Sequence, residues 1–200
     1  LGIYAVRHLP FIDFRAYRIG NNIPQEMLPP EQPVFEYTFQ KKDGELIKSE
    51  SYLTDTLTYK YVGVEQLNEE KTKAKITDFA VYTIEGEDVT PRTFEGAKLF
   101  IVIYDATRAS VKNMDKIRQL ANELDGKIEI MVLTASGADQ FEEFRHQHQL
   151  AVPYYYADAT VLKTIVRANP GITLWVDGTV RGMWHDNDTP EASEVLELIR

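Results

Sequence analysis

The sequence predicts an α/β fold, a mixed sheet with helices on both faces, and three observations predict it. Leu99-Phe100-Ile101-Val102-Ile103-Tyr104 places six large apolar residues in succession. Such a run suits a strand buried on both faces, in the middle of a helix-covered sheet. A polar turn, Asp105-Ala106-Thr107-Arg108-Ala109-Ser110, follows, and then Val111, Met114, Ile117, Leu120 and Leu124 recur at helical steps with charged residues between them. Beyond residue 124 the chain keeps alternating short apolar runs with amphipathic ones and closes with a hairpin and a helix. A buried strand that runs into a helix through a short polar turn puts that turn where α/β folds usually place chemistry.

Composition narrows the function classes. Two hundred residues with 44% hydrophobic content can bury one sizeable core and carry an appendage. A net charge of −9 argues against a nucleic-acid binder, which normally presents a basic face. No apolar run approaches the length needed to span a bilayer. The chain begins Leu1-Gly2-Ile3-Tyr4-Ala5-Val6, without an initiator methionine or a signal-peptide pattern, as a piece of a longer chain would. None of the residues is cysteine, so disulfides, thiolate nucleophiles and thiolate metal sites are all absent from this stretch. That leaves the redox compartment open.

Residues 1–33 carry Pro10, Pro24, Pro29, Pro30 and Pro33 and no sustained period, which predicts an extended linker anchored by Phe11, Phe14 and Tyr17. Arg7, Arg15 and Arg18 crowd beside its apolar start, as in a segment leaving a membrane helix or a tail packed on a domain. Residues 34–76 form a small β-rich extension. In it, 34–39 alternate, Lys42-Asp43-Gly44 signals a hairpin turn, and 56–62 make a further strand. Residues 65–75 read as a solvated connection, and Tyr37, Tyr52, Tyr59 and Tyr61 as the cover of a sheet face.

Residues 77–200 make the main domain. Residues 78–83 read as a short strand, 85–88 as a turn, and Val89-Thr90 as its return. The central strand and first helix follow, with Asp125-Gly126 stopping the helix and 128–133 forming a second buried strand. Residues 138–149 are helical with Phe141 and Phe144 inward; 152–156 are extended; 159–168 are helical with Leu162, Ile165 and Val166 inward; and Asn169-Pro170 breaks that helix. Asp177-Gly178 turns a hairpin between 172–176 and 179–184. A closing helix starts at Asp188-Thr189-Pro190-Glu191, capped by Asp188 or Thr189, and buries Val195, Leu196 and Ile199.

No P-loop, dinucleotide fingerprint or nucleophile elbow is present. His146 and His148 are two apart on a helix and cannot chelate together, and beside His185 the acids Asp186 and Asp188 are better explained by capping than by a metal. Asp105, at the end of the central strand, is a turn or cap residue with a ligand contact as the alternative. These residues imply no metal and no cofactor.

Three stretches carry a family resemblance: 78–90 with Phe94-Glu95-Gly96-Ala97-Lys98, then Tyr156-Ala157-Asp158 with the following helix, then Asn169 through Gly178. Together they resemble the thioredoxin superfamily, in its TlpA-like and peroxiredoxin-like branch. The resemblance implies a thioredoxin-like mixed sheet and a cis bond before Pro170. It also lays the family's Cys-x-x-Cys over Thr107-Arg108-Ala109-Ser110, while the acid that the family often buries falls near Ile101. Dithiol chemistry is thereby withdrawn, and neither Thr107 nor Ser110 has a base beside it in sequence to act as a substitute nucleophile. What the resemblance leaves is a groove with Thr107, Arg108, Ala109 and Ser110 opposite Asn169 and Pro170. There the backbone of the residue before the cis-proline hydrogen-bonds an extended peptide, with Arg108 favouring acidic groups. No residue is expected to be catalytic.

A second resemblance spans more of the chain. Residues 9–20, with Asp13-Phe14-Arg15 among them, together with 160–171 and Asp177-Gly178-Thr179-Val180, resemble the soluble C-terminal part of DoxX-family membrane proteins of Bacteroidetes. Ala16 stands where proline is expected. This resemblance implies that residues 1–6 are the stump of a membrane helix, that membrane helices of the same protein precede the domain, and that the domain lies in the periplasm, anchored at the inner membrane. The expected function is a redox-inactive binding module. One alternative is an accessory domain in thiol-disulfide exchange whose cysteines lie in the membrane part or in a partner. Another is self-association through an exposed strand edge of the extension.

Overall fold

The computed structural model describes Leu9 and residues 15–200. The readings placed on residues 1–6, Arg7, Phe11, Asp13 and Phe14 lie outside the described residues. The chain divides into two compact units, Glu26–Lys75 and the rest.

In the smaller unit, strands β1 (Phe35–Lys41), β2 (Leu46–Ser49) and β3 (Tyr59–Gln66) form an antiparallel sheet in the order β2-β1-β3. The hairpin turn falls where predicted, with Gly44 at φ 90°, a left-handed conformation open to glycine. β3 runs through Gln66, further than the predicted 56–62, and the charged stretch after it forms a short 3₁₀ turn at Glu69–Thr72. Phe39 is fully buried, with the rings of Tyr52, Tyr59 and Tyr61 set around it at 5.4, 6.4 and 6.0 Å between centroids. The tyrosines therefore cover a sheet face.

The larger unit is built on a five-stranded mixed sheet. Its strands are β4 (Ala97–Ile103), β5 (Glu129–Thr134), β6 (Tyr154–Tyr156), β7 (Gly171–Val176) and β8 (Thr179–His185), in the order β6-β5-β4-β7-β8. β4, β5 and β6 run parallel, and β7 and β8 add as antiparallel neighbours. Leu99, Ile101 and Ile103 point to one face. There they meet α1 (Met114–Leu124), Phe141 and Phe144 of α2 (Ala138–Gln147), and Val195 of α4 (Ala192–Glu197). Alternation sends Phe100 to the other face, where it meets the Trp175 ring at 4.9 Å, and α3 (Ala159–Ile165) buries Val161, Leu162 and Ile165. This is a thioredoxin-like fold: a central parallel strand, an antiparallel hairpin and helices on both faces.

The structure corrects several local expectations. Residues 15–25 dock more closely than an extended linker held by aromatic anchors: Tyr17 anchors as expected, and the backbone pairs as well. Gly20 N–H donates to the Val180 carbonyl and Ile23 N–H to that of Gly178, both at 2.8 Å, and Tyr17 stacks 6.3 Å from Trp175. Residues 78–83 do not form a regular strand. Only Tyr82 makes bridges, to Asp88 and Tyr156, because the hairpin turns back after too few residues to extend a ladder. Val111 is 55% exposed, since α1 begins at Met114 and the apolar spacing carries on upstream of the helix that it resembles. α3 stops at Ile165, with Val166 already extended, and the closing helix starts at Ala192 without a side-chain cap. At the β7–β8 turn, Asp177 and Gly178 take φ of 47° and 73°, as a tight hairpin demands.

Candidate binding site at the Thr107 turn

The site grows from the end of β4. The Asp105 carboxylate accepts the Thr107 hydroxyl at 2.7 Å and the Thr107 N–H at 3.0 Å, which caps a 3₁₀ turn over Ala106–Arg108. Those bonds, together with Arg108 nearby, hold the Asp105 carboxyl below the usual carboxylate range. The Ala106 N–H donates to the buried Ser136 Oγ at 2.8 Å and ties the turn to the end of β5. Past the turn the backbone stays extended at Ala109, and helix α1 begins only at Met114. Thr107 to Ser110 thus lie upstream of the helix N-terminus, which is the feature that lowers a thiol pKa in redox proteins.

The second strand of the site arrives from α3. The Asn169–Pro170 peptide is cis, as the resemblance implies, and Pro170 is buried. Gly171 opens β7 against Val166; a Cβ there would lie 2.5 Å from Val166 Cγ1, so the close approach requires glycine.

The two segments meet directly. Ser110 N–H donates to the Asn169 carbonyl at 2.7 Å, and Asn169 Nδ2 donates to the Asp105 carbonyl at 2.7 Å. Ser110 and Asn169, expected on opposite sides of a groove, are thus bonded to each other, which takes up one of the two lone pairs of the Asn169 carbonyl. Thr107 and Arg108 are exposed, while Ala109 and Ser110 are half-buried.

Open space lies on either side of the turn instead. One cleft, about 420 Å³, is lined by Ala106, Ala109, Val111 and Phe144 among others. The other, about 580 Å³, is lined by Arg108, Lys112, Arg167, Ser110, Asn169 and His185 among others. The first has an apolar floor; the second is cationic.

Asp186 is the residue that sequence reasoning missed. It is 1% exposed and does not cap the closing helix. Its Oδ2 accepts the Ser110 hydroxyl at 3.0 Å and the Asn113 amide at 3.1 Å. Ser110 thus has a carboxylate beside it after all, 76 positions away in sequence. His185 Nδ1 stands 2.6 Å from Asp186 Oδ1 and accepts the Asn187 N–H at 3.2 Å. Toward Asp186 that nitrogen can only donate, and toward Asn187 only accept, so it serves one contact or the other and not both at once. No spacing rule announces this cluster, because the end of β8 and the start of α1 are joined only by the sheet. Its order, serine to carboxylate to imidazole, leaves the imidazole out of reach of the hydroxyl and so lacks the logic of an activated serine. The cluster ties the turn down.

No known family model matches the chain, and no curated protein matches it. Among solved structures, it is similar to the thioredoxin domain of a thiol-disulfide oxidoreductase from Bacteroides vulgatus, at 12% identity and a TM-score of 0.47 over 61% of this chain and 93% of that one. It is also similar to StoA from Bacillus subtilis, at 14% identity and a TM-score of 0.44 over 61% and 96%. A third likeness is to a secreted disulfide oxidoreductase of Mycobacterium tuberculosis, at 13% identity and a TM-score of 0.43 over 61% and 94%. The fold assignment rests on the strand order and connections described above.

Proposed function

We propose that the larger unit is a thiol-free, thioredoxin-like binding module that receives an extended segment of a partner protein across the Thr107 turn. One observation carries this reading. The turn over which the resemblance lays the Cys-x-x-Cys is braced by Ser110, Asn169 and Asp186, with open clefts on both sides and no cysteine in the chain. Fold and chemistry are separable, so a scaffold without its nucleophile can still serve recognition. The resemblance of residues 9–20, 160–171 and 177–180 supports placing the module in a DoxX-type membrane protein of the cell envelope, on the periplasmic side of the inner membrane. Its other partners are then the membrane helices of its own chain. Among the described residues no helix is long and apolar enough to cross a membrane.

The test combines two measurements. Insulin reduction by the chain is expected to stay at the uncatalysed rate, and an NMR titration with extended peptides is expected to shift residues 106–112 and 167–170. Catalysed reduction, or peptide shifts confined to other surfaces, overturns the reading.

A further inference from the structure

The cationic cleft is out of character with the rest of the chain. Against a net charge of −9, it gathers Arg108, Lys112 and Arg167 on one side of the turn. All three are exposed. Asp105 shares the field of Arg108, while Lys112 and Arg167 form no ion pair among the described residues. Lys163 adds a fourth cation over the Tyr104 ring, 5.2 Å from its centroid, and Tyr104 lines the same cleft. The one acid lining it, Asp186, is buried; its Oδ2 accepts from Ser110 and Asn113, and its Oδ1 lies 2.6 Å from His185 Nδ1, so the three exposed cations outnumber it.

From these features we infer that the cationic cleft binds an acidic, extended peptide segment, its carboxylates on Arg108, Lys112 and Arg167. This rests on the binding reading above and names the chemistry of its partner. The overall negative charge of the chain opposes such a partner at long range, but at physiological salt that repulsion is screened beyond about 8 Å, leaving the local cations to act. Direct charge contacts of this kind govern which partner binds more than how tightly any partner binds.

The experiment titrates the chain with labelled peptides of equal length, alternating Gly-Glu, Gly-Gln or Gly-Lys, and with inorganic phosphate as competitor. The Glu peptide is expected to bind about tenfold more tightly than the Gln peptide, with the advantage shrinking as salt rises. The advantage is expected to vanish in the double variant Arg108→Gln/Arg167→Gln, whose unfolding midpoint should match the parent because both side chains are exposed. Equal binding of Glu and Gln peptides overturns the acidic preference and leaves the binding module standing. Binding of none of the peptides overturns both. Displacement of the Glu peptide by phosphate at equal concentration overturns the peptide occupant and leaves a small-anion site.

Discussion

The two units bury their aromatic residues in opposite ways. In the larger one, Trp175 is completely enclosed, with Phe79, Phe94, Phe100 and Tyr17 within 4.9 to 6.3 Å of its ring, under a sheet covered on both faces. In Glu26–Lys75 a single hydrophobic side chain, Phe39, is fully buried, and Tyr52, Leu57, Val62, Val64 and Leu67 are more than 45% exposed. A sheet with one anchor has little to lose before it opens, whereas a two-faced core fails as a whole. The comparison teaches that the Thr107 turn is set at the end of a strand enclosed on both faces, where the packing is densest.

The harshest way to break the contrast is Trp175→Ala. A cavity of that size in a closed core is expected to cost about 3–5 kcal/mol, read from the urea midpoint of the larger unit. Phe39→Ala should cost about 3 kcal/mol, because the half-exposed tyrosines can collapse around it. Hydrogen exchange is expected to show protection lost across 26–75 and kept across 97–103. Loss of protection in both would mean that the two units unfold together and would remove the contrast.

Asp186→Ala sharpens it at the site. With the acceptor gone, the Ser110 hydroxyl and the Asn113 amide lose their partner, at a cost of about 2 kcal/mol by thermal unfolding. Asp186→Asn, which keeps one oxygen, should recover part of that.

The smallest effect is on pH. Burial pushes Glu129 up, but Lys98 at 2.8 Å and Arg92 at 2.6 Å outweigh it and hold the carboxyl below its ordinary value. Its contribution is thus present above the ordinary glutamate value of about 4.3 and is lost as pH falls through the lower folded value. Acid should destabilise the parent more than Glu129→Gln, by less than about 1 kcal/mol because the carboxylate is partly exposed. An identical acid profile for both would remove the pair from the account of stability.

The parts legible in the sequence were those that depend on a local repeat. Residues 99–103 of the apolar run lie in the buried strand β4, with Tyr104 just past its end, and Met114, Ile117, Leu120 and Leu124 form the inner stripe of α1, because an unbroken apolar run marks a strand dry on both faces and a 3.6-residue period marks the dry face of a helix. Asp105 as a cap and Asp177-Gly178 as a hairpin turn were equally local. Four things were decided only in three dimensions. They are the docking of residues 15–25 beside β8, the bond from Ser110 to Asn169, the burial of Asp186, and the gathering of Arg108, Lys112 and Arg167 around one cleft. Each joins residues far apart along the chain, and hydrogen bonds and charges act through space, so their partners leave no periodic trace in sequence. Hydrophobic spacing set the scaffold here, and the crossing connections of the sheet chose which polar residues would meet on it.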